Sequence, residues 1–312
     1  MMNFSRLTLA DVEPWAELVA ISFGRQSAEM EALWQWFHQG WQLVAWGAWE
    51  QHQLVAQYTC LVNPVISPQD TLFRIGLSVN MAVHPDFRGR GLVKQIAQPV
   101  YATLQAMGIV AGVGFSNAAG VKVDKRSKGY GYQVLGKMQP YLLWLSSRRQ
   151  SSSPLELTTH WPIGRWPAAQ PGNCFRFAAD PVWLKNRFAD HPFRQYRFGV
   201  WQEGTQICGI VIDRPIFFGG VNGCTLLMAY GPDLPGLLTH WGRTIHNTGG
   251  RFVHWLSTPT TALTKTLRTL GLVLPVPYSR SPYYLTAKPL TAGLPARFMD
   301  FRHWDCSGGN IL

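Results

Sequence analysis

The 312-residue sequence predicts an α/β protein of two tandem units, each a mixed (α+β) sheet carrying helices on its faces. Three observations point there. Residues 74–115 read as strand, loop, helix and strand, which makes a parallel pair joined by a right-handed crossover. Beyond residue 172 the same order of elements begins again. Local wording also recurs: Gly131 with the later Tyr141-Leu142-Leu143 is matched about 140 residues on by Gly271 with Tyr283-Tyr284-Leu285.

In the first unit, Asp11 and Pro14 open a helix whose apolar residues Trp15, Leu18, Val19 and Phe23 recur at helical spacing. A second helix is expected over 28–38. Residues 42–49 and 53–62 read as strands about the turn Glu50-Gln51-His52. Over 74–83, Leu77, Val79, Met81 and Val83 alternate with Ser78, Asn80 and Ala82, the period of a pleated strand. The next helix shows Val93, Ile96, Val100, Leu104 and Met107 on one stripe and ends at Gly108, while Pro99 inside it predicts a kink. A short apolar strand follows over 109–115.

Serines, arginines and prolines between 147 and 171 read as a linker, separating units 1–146 and 172–312. In the second unit, 196–202 and 206–213 pair as strands and 225–230 is a third. Leu237, Leu238, Trp241 and Ile245 mark a helix, 252–256 a strand, and Leu263, Leu267 and Leu270 a last helix.

Composition narrows the function classes. Apolar residues make up 46% of the chain and charged ones only 14%, which supports a large core and excludes disorder over most of its length. The net charge of +11 favours anionic partners, yet no basic run exceeds two residues, which counts against nucleic acid binding. Five cysteines, an odd number without a C-x-x-C pair, favour neither a zinc site nor a disulfide framework, so no metal is expected. The first residues lack a signal-peptide pattern and no apolar run approaches ~20 residues, so no membrane span and a cytoplasmic location are expected. Nothing in the sequence sets the oligomeric state.

The segment that carries chemistry is His84-Pro85-Asp86-Phe87-Arg88-Gly89-Arg90-Gly91-Leu92-Val93, between a strand and a helix. Its glycines permit tight turning and close approach of a ligand to the backbone. The amides of the loop and of the first helical turn have no intrahelical acceptor, and they point where the helix dipole is positive. Such a loop suits a phosphate or pyrophosphate, with Arg88 and Arg90 adding charge at its rim.

This context resembles the GNAT acetyltransferase superfamily, whose cofactor motif, (Gln or Arg)-x-x-Gly-x-(Gly or Ala), lies between a strand and a helix. Arg88-Gly89-Arg90-Gly91-Leu92-Val93 supplies the Arg and the first required Gly, and Val93 departs at the final small position. The resemblance covers about residues 5–145 and implies two tandem GNAT-like domains, the second degenerate. It further implies acetyl-CoA as co-substrate, with its pyrophosphate on the amides of Arg88, Gly89, Arg90, Gly91, Leu92 and Val93. The pantetheine arm would lie along Met81, Ala82 and Val83, filling a gap where the next strand splays away, with Asn117 nearby. Lys128-Gly129-Tyr130-Gly131-Tyr132 resembles the family's closing signature. Trp183 to Phe188, His191-Pro192 and the tail His303-Trp304-Asp305 resemble a subgroup tied to bacterial polysaccharide and amino-sugar genes.

Acyl transfer from a thioester to an amine requires a neutral amine, a stabiliser for the oxyanion and a proton for the leaving thiolate. The family's strand carboxylate is absent here, leaving Asn80 to orient a water, His84 as a base of suitable intrinsic pKa, and Tyr130 as an acid. His303 and Asp305 are further candidates from the tail. The second unit's corresponding loop, residues 230–236, has two prolines, no Arg and Asp233, so it is expected to take no coenzyme and to wall the acceptor. Tryptophans 161, 166, 183, 201, 241, 255 and 304 are expected mostly in the core, with sugar stacking the other reading. The sequence therefore predicts an N-acetyltransferase acting on a small amine, such as an amino sugar. The alternatives are a non-catalytic coenzyme-sensing or interaction protein, and an aminoacyl transferase of the peptidoglycan-bridge type.

Overall fold

The computed structural model describes residues 2–126, 131–145, 155–166, 172–259, 261–271, 273–276 and 282–311. In chain order its first part runs β1 (Met2–Arg6), α1 (Val12–Phe23), α2 (Ser27–Gly40), β2 (Leu43–Glu50), β3 (Gln53–Ile66), β4 (Leu72–Val83), α3 (Leu92–Ala106), β5 (Ala111–Asn117), α4 (Ala118–Arg126), β6 (Gln133–Lys137) and β7 (Gln139–Trp144). The remainder runs β8 (Glu156–Thr158), β9 (Phe175–Phe177), α5 (Pro181–Leu184), β10 (Arg197–Glu203), β11 (Gln206–Phe218), β12 (Val221–Tyr230), α6 (Leu234–Asn247), β13 (Phe252–Ser257), α7 (Ala262–Leu270), β14 (Val273–Pro275), β15 (Tyr283–Pro289) and β16 (Trp304–Asp305).

The strands form two mixed sheets of one topology. The first is ordered β1-β2-β3-β4-β5-β15-β6 and the second β8-β10-β11-β12-β13-β7-β14, with parallel pairs at β4–β5 and β12–β13. The sheets correspond position by position, except that they exchange a strand. Segment β7 leaves the first half to pair antiparallel with β13, from Phe252↔Trp144 to Ser257↔Gln139. In return β15 enters between β5 and β6, with Tyr283 opposite Asn117 and Pro289 opposite Ala111. The recurring Tyr-x-Leu wording at 141–143 and 283–285 belongs to these two exchanged strands. Apolar burial holds the exchange: Leu285 and Ala287 lie in the first core beside Val113, and Tyr141 stacks on Trp255 at 5.2 Å in the second.

Units expected at 1–146 and 172–312 therefore share strands, and within the stretch expected as linker Glu156–Thr158 pairs with β10 as β8. Between β11 and β12 the strands run past their expected ends to a hairpin at Gly219-Gly220, both at positive φ. Helix α4, whose short run carries no long apolar stripe, has no counterpart in the sequence reading.

Two apolar layers sandwich the first sheet. On one face α1 and α2 pack Trp15, Trp34 and Phe37, with the two indoles stacked at 4.6 Å. On the other, Ile96, Val100 and Leu104 of α3 cover Tyr58 and Cys60. Phe23, placed in the α1 stripe by sequence, is instead 49% exposed at the helix end, where Gly24 adopts the left-handed cap. Asp11 does not cap α1 with its side chain; its carboxylate turns back to accept from the Thr8 amide at 2.7 Å. Helix α3 continues through Pro99, whose carbonyl accepts from Thr103 Oγ1 at 2.7 Å. Tryptophans 183, 241, 255 and 304 are buried, and Trp161 and Trp166 stack on each other at 5.1 Å.

Candidate active site

The ladder between β4 and β5 ends at Ser78↔Gly114, although β4 continues to Val83 and β5 to Asn117. The outer neighbours hold both strands past that point: β3 pairs with β4 as far as Val83, and β15 with β5 as far as Asn117. A wedge-shaped gap therefore opens between two well-supported strands.

A β-bulge sets the direction of the gap's β4 wall. The register passes from Thr59↔Val79 to Gln57↔Ala82, so Asn80 and Met81 together oppose Tyr58. Asn80 takes φ +45°, a left-handed conformation that asparagine tolerates better than most residues. The extra residue reverses the phase of the strand. Leu77 and Val79 face the α1–α2 layer before the bulge, and Ala82 faces it afterwards, leaving Met81 and Val83 toward α3. The unbroken alternation expected over 74–83 is thus corrected at Asn80.

After Val83 the chain makes a compact turn. His84 Nδ1 accepts from the Asp86 amide at 3.3 Å, and its ring meets Phe87 edge-on at 5.7 Å. One ring nitrogen of His84 is thus committed to the turn, leaving only Nε2 for chemistry. The Val83 carbonyl accepts from Arg88 Nε at 3.3 Å and Ser22 Oγ at 3.4 Å, which ties the end of α1 to the gap. Arg90 lies over the Phe87 ring at 4.5 Å and donates to the Asp86 carbonyl. Gly89 and Gly91 have φ of +81° and +72°, and a Cβ added at either would meet nothing within 4 Å. Glycine is required there for backbone conformation, and the space above both stays open. Gly91 caps α3 without a side-chain bond, and the first turn of α3 holds no acid. Its amides thus face that opening beside two exposed arginines, a constellation suited to a pyrophosphate. Val93, at the family's small position, packs against the α3-side core.

Across the gap, Asn117 Oδ1 accepts from the Gly120 amide at 2.9 Å and so caps α4. Tyr130 lies outside the described residues. Its neighbour Tyr132 is a packing residue: the phenol bonds to Tyr58 Oη at 3.1 Å, and a Cβ on Gly112 would collide with it. Behind Ser78, burial pushes the Cys60 thiol up to about 12, so it supplies no thiolate nucleophile. The tail residues go elsewhere: His303 Nδ1 lies 3.3 Å from Asp300 and Asp305 accepts from the Ala262 amide, while no hydrogen bond or ion pair among the described residues joins either to residues 78–117.

Sequence reasoning missed a buried pair beside the bulge. Gln57 and Thr59 are 1% and 0% exposed, and the Gln57 amide accepts from Thr59 Oγ1 at 2.7 Å. Two polar residues at alternate positions of an otherwise apolar strand were the available signal.

The second sheet repeats the divergence but fills it. Pairing of β12 with β13 ends at Leu226↔Trp255, and the tail enters there, with Ser307 bridged to Ser257 and Gly309 close to the Leu227 carbonyl. Asp233 accepts from the Gly236 amide at 2.9 Å and caps α6, so a carboxylate already satisfies that helix end.

Among curated proteins none matches the sequence. Solved structures share the fold across nearly the whole chain. A probable N-acyltransferase from Enterococcus faecalis V583 superposes with a TM-score of 0.68 at 14% identity, covering 93% of this chain and 73% of its own. A GCN5-related N-acetyltransferase from Anabaena variabilis gives 0.68 at 10% identity with the same coverage, and Eis1 from Mycobacterium abscessus 0.61 at 13%, covering 93% and 74%. The acetyltransferase (GNAT) domain family matches residues 3–133, which span α1 to α3, the gap and the glycine loop. Residues 3–133 thus match the acetyltransferase (GNAT) domain family, and the chain shares its fold with solved structures of GNAT proteins.

Proposed function

We propose that the protein is an acetyl-CoA-dependent N-acyltransferase that acylates a small amine directly, an amino sugar being the preferred class. The observation that supports this reading most is the junction of the β4–β5 gap with the open, glycine-lined start of α3. Such a junction fits a long, thin ligand with a pyrophosphate at one end and an extended arm at the other.

When bound, acetyl-CoA supplies the activated acyl group. The amides of residues 88–93 would hold its pyrophosphate, and β4 from Met81 to Val83 would lie along its arm. Arg88 and Arg90 would balance its negative charge, and Asn117 would stand at the far side of the gap. The bulge aims the backbone past Asn80 into this space, so residues 81–83 are the candidates for stabilising developing negative charge. The raised Cys60 thiol favours direct transfer over a covalent intermediate on that residue. Proton removal from the amine falls to a water oriented by Asn80 or to His84 Nε2, and Tyr130 is the candidate acid. The C-terminal half would wall the acceptor.

One observation favours a second reading, a coenzyme-binding protein without turnover: β4 offers no carboxylate to serve as base. Continuous thiol release from acetyl-CoA, screened over amino sugars, nucleotide-linked sugars and simple primary amines, separates the two. Amine-dependent release that falls in Asn80→Ala or His84→Gln supports the enzyme. Binding without release for any amine supports the second reading.

A further inference from the structure

A cavity of about 220 Å³ lies where the second sheet's diverging strands meet β9 and β16. None of its lining residues belongs to the 78–117 segment. The volume is below that of pockets that take drug-sized ligands, so a coenzyme does not fit. Its lining is largely apolar, with Met228, Leu234 and Leu263 among the residues that form it.

One end is different. Arg176 and Asp305 are direct register partners in the parallel β9–β16 pair, and both line the cavity. Adjacent opposite charges would be expected to join, yet they form no ion pair. Arg176 instead reaches Asp70 with Nη2 at 3.0 Å, and among the described residues its buried Nη1 has no hydrogen-bond partner. Asp305 accepts one long bond, 3.4 Å, from the Ala262 amide. Burial raises its carboxyl above the ordinary range, while Arg176 and Lys265 act the other way. A buried donor without an acceptor is costly, and so is a carboxylate without a close cation. Both residues line one small space.

We propose that this cavity binds an apolar α-amino acid, its carboxylate on Arg176, its ammonium on Asp305 and its side chain among Met228, Leu234 and Leu263. One ligand then meets both polar needs, because an α-amino acid carries its two charges on a single carbon, as two cross-strand neighbours require. A simple amine leaves Arg176 Nη1 unmet, and a simple carboxylate brings a second negative charge beside Asp305. The site also explains the tail's path: Ser307 and Asn310 close the cavity from the side of the filled gap, so the ligand would be enclosed by the C-terminal segment. The C-terminal half thereby contributes most of a second binding site instead of a passive wall.

Calorimetry on the full chain tests this, with L-leucine and L-methionine as probes beside 4-methylpentanoate, which lacks the amine, and isoamylamine, which lacks the carboxylate. Saturable binding of at least one amino acid is expected, weaker by about tenfold or more for both analogues. Asp305→Asn and Arg176→Gln should each weaken it similarly, while Arg176→Lys, which keeps the charge, should weaken it less. Each variant's circular dichroism and thermal midpoint without ligand confirm that it is folded. Three results would overturn the proposal: no heat and no thermal shift with either amino acid at millimolar concentration, equal binding of 4-methylpentanoate and leucine, or unchanged leucine affinity in folded Asp305→Asn and Arg176→Gln.

Discussion

Strand exchange predicts a crossed pattern of stability effects, and Leu285→Ala tests it. Leu285 is fully buried on β15, in the core under the first sheet. Its strand is clamped by β5 on one side and β6 on the other, which limits collapse around a cavity. Removing a buried leucine side chain costs about 2–5 kcal/mol, and a clamped site belongs in the upper part of that range. At about 3 kcal/mol per molar of urea, the unfolding midpoint should fall by roughly 1 M. Hydrogen exchange followed peptide by peptide locates the loss. Although Leu285 lies near the C-terminus, protection should fall first at β4 and β5. Leu143→Ala, on the exchanged β7, should do the reverse and weaken β12 and β13. If Leu285→Ala loosened β11 and β12 while leaving β4 and β5 protected, the exchange would not carry the stability assigned to it.

Three further outcomes follow from the same contacts. Gly112→Ala drives a methyl into the Tyr132 phenol and should lower stability by about 1–3 kcal/mol in chemical denaturation; an unchanged midpoint would mean that Tyr132 does not pack there. His191, buried against Trp36 and accepting from the Arg194 amide, has its pKa pushed down to about 3, by burial first and then by Arg187 and Arg194. Below about pH 6.5 the unfolded chain takes up a proton that the folded chain refuses, so His191 should cost stability progressively as pH falls from there toward 3. Thermal midpoints across that range should flatten in His191→Asn, and an identical slope in the variant would contradict the assignment. Gly91→Ala places a side chain at φ +72° in open space, so only backbone strain of about 1–2 kcal/mol is expected, with weaker acetyl-CoA binding and little change in far-UV circular dichroism.

Much of the first sheet was legible because its signals are local. Alternation located β4, a helical stripe located α3, and paired glycines located the loop between them. The gap itself was available only through the resemblance, since no local pattern reports where two strands stop pairing. The bulge at Asn80 escaped for a related reason: the residues alternate evenly on paper, while the reversal arises from the register with β3. Strand exchange was hidden more deeply. Tyr141-Leu142-Leu143 and Tyr283-Tyr284-Leu285 look alike, and likeness says nothing about which sheet each strand joins. The Arg176–Asp305 neighbourhood depends on a pairing between residues far apart in sequence, beyond the reach of any periodicity.

Acetyl-CoA binding at the junction of the gap and the glycine loop is the property on which the proposed activity depends. Calorimetric titration of the wild-type chain and of Arg88→Ala/Arg90→Ala measures it. Micromolar binding, about −8 kcal/mol, weakened by tenfold or more in the variant, is the predicted result. No detectable binding, or equal affinity in both proteins, would contradict it.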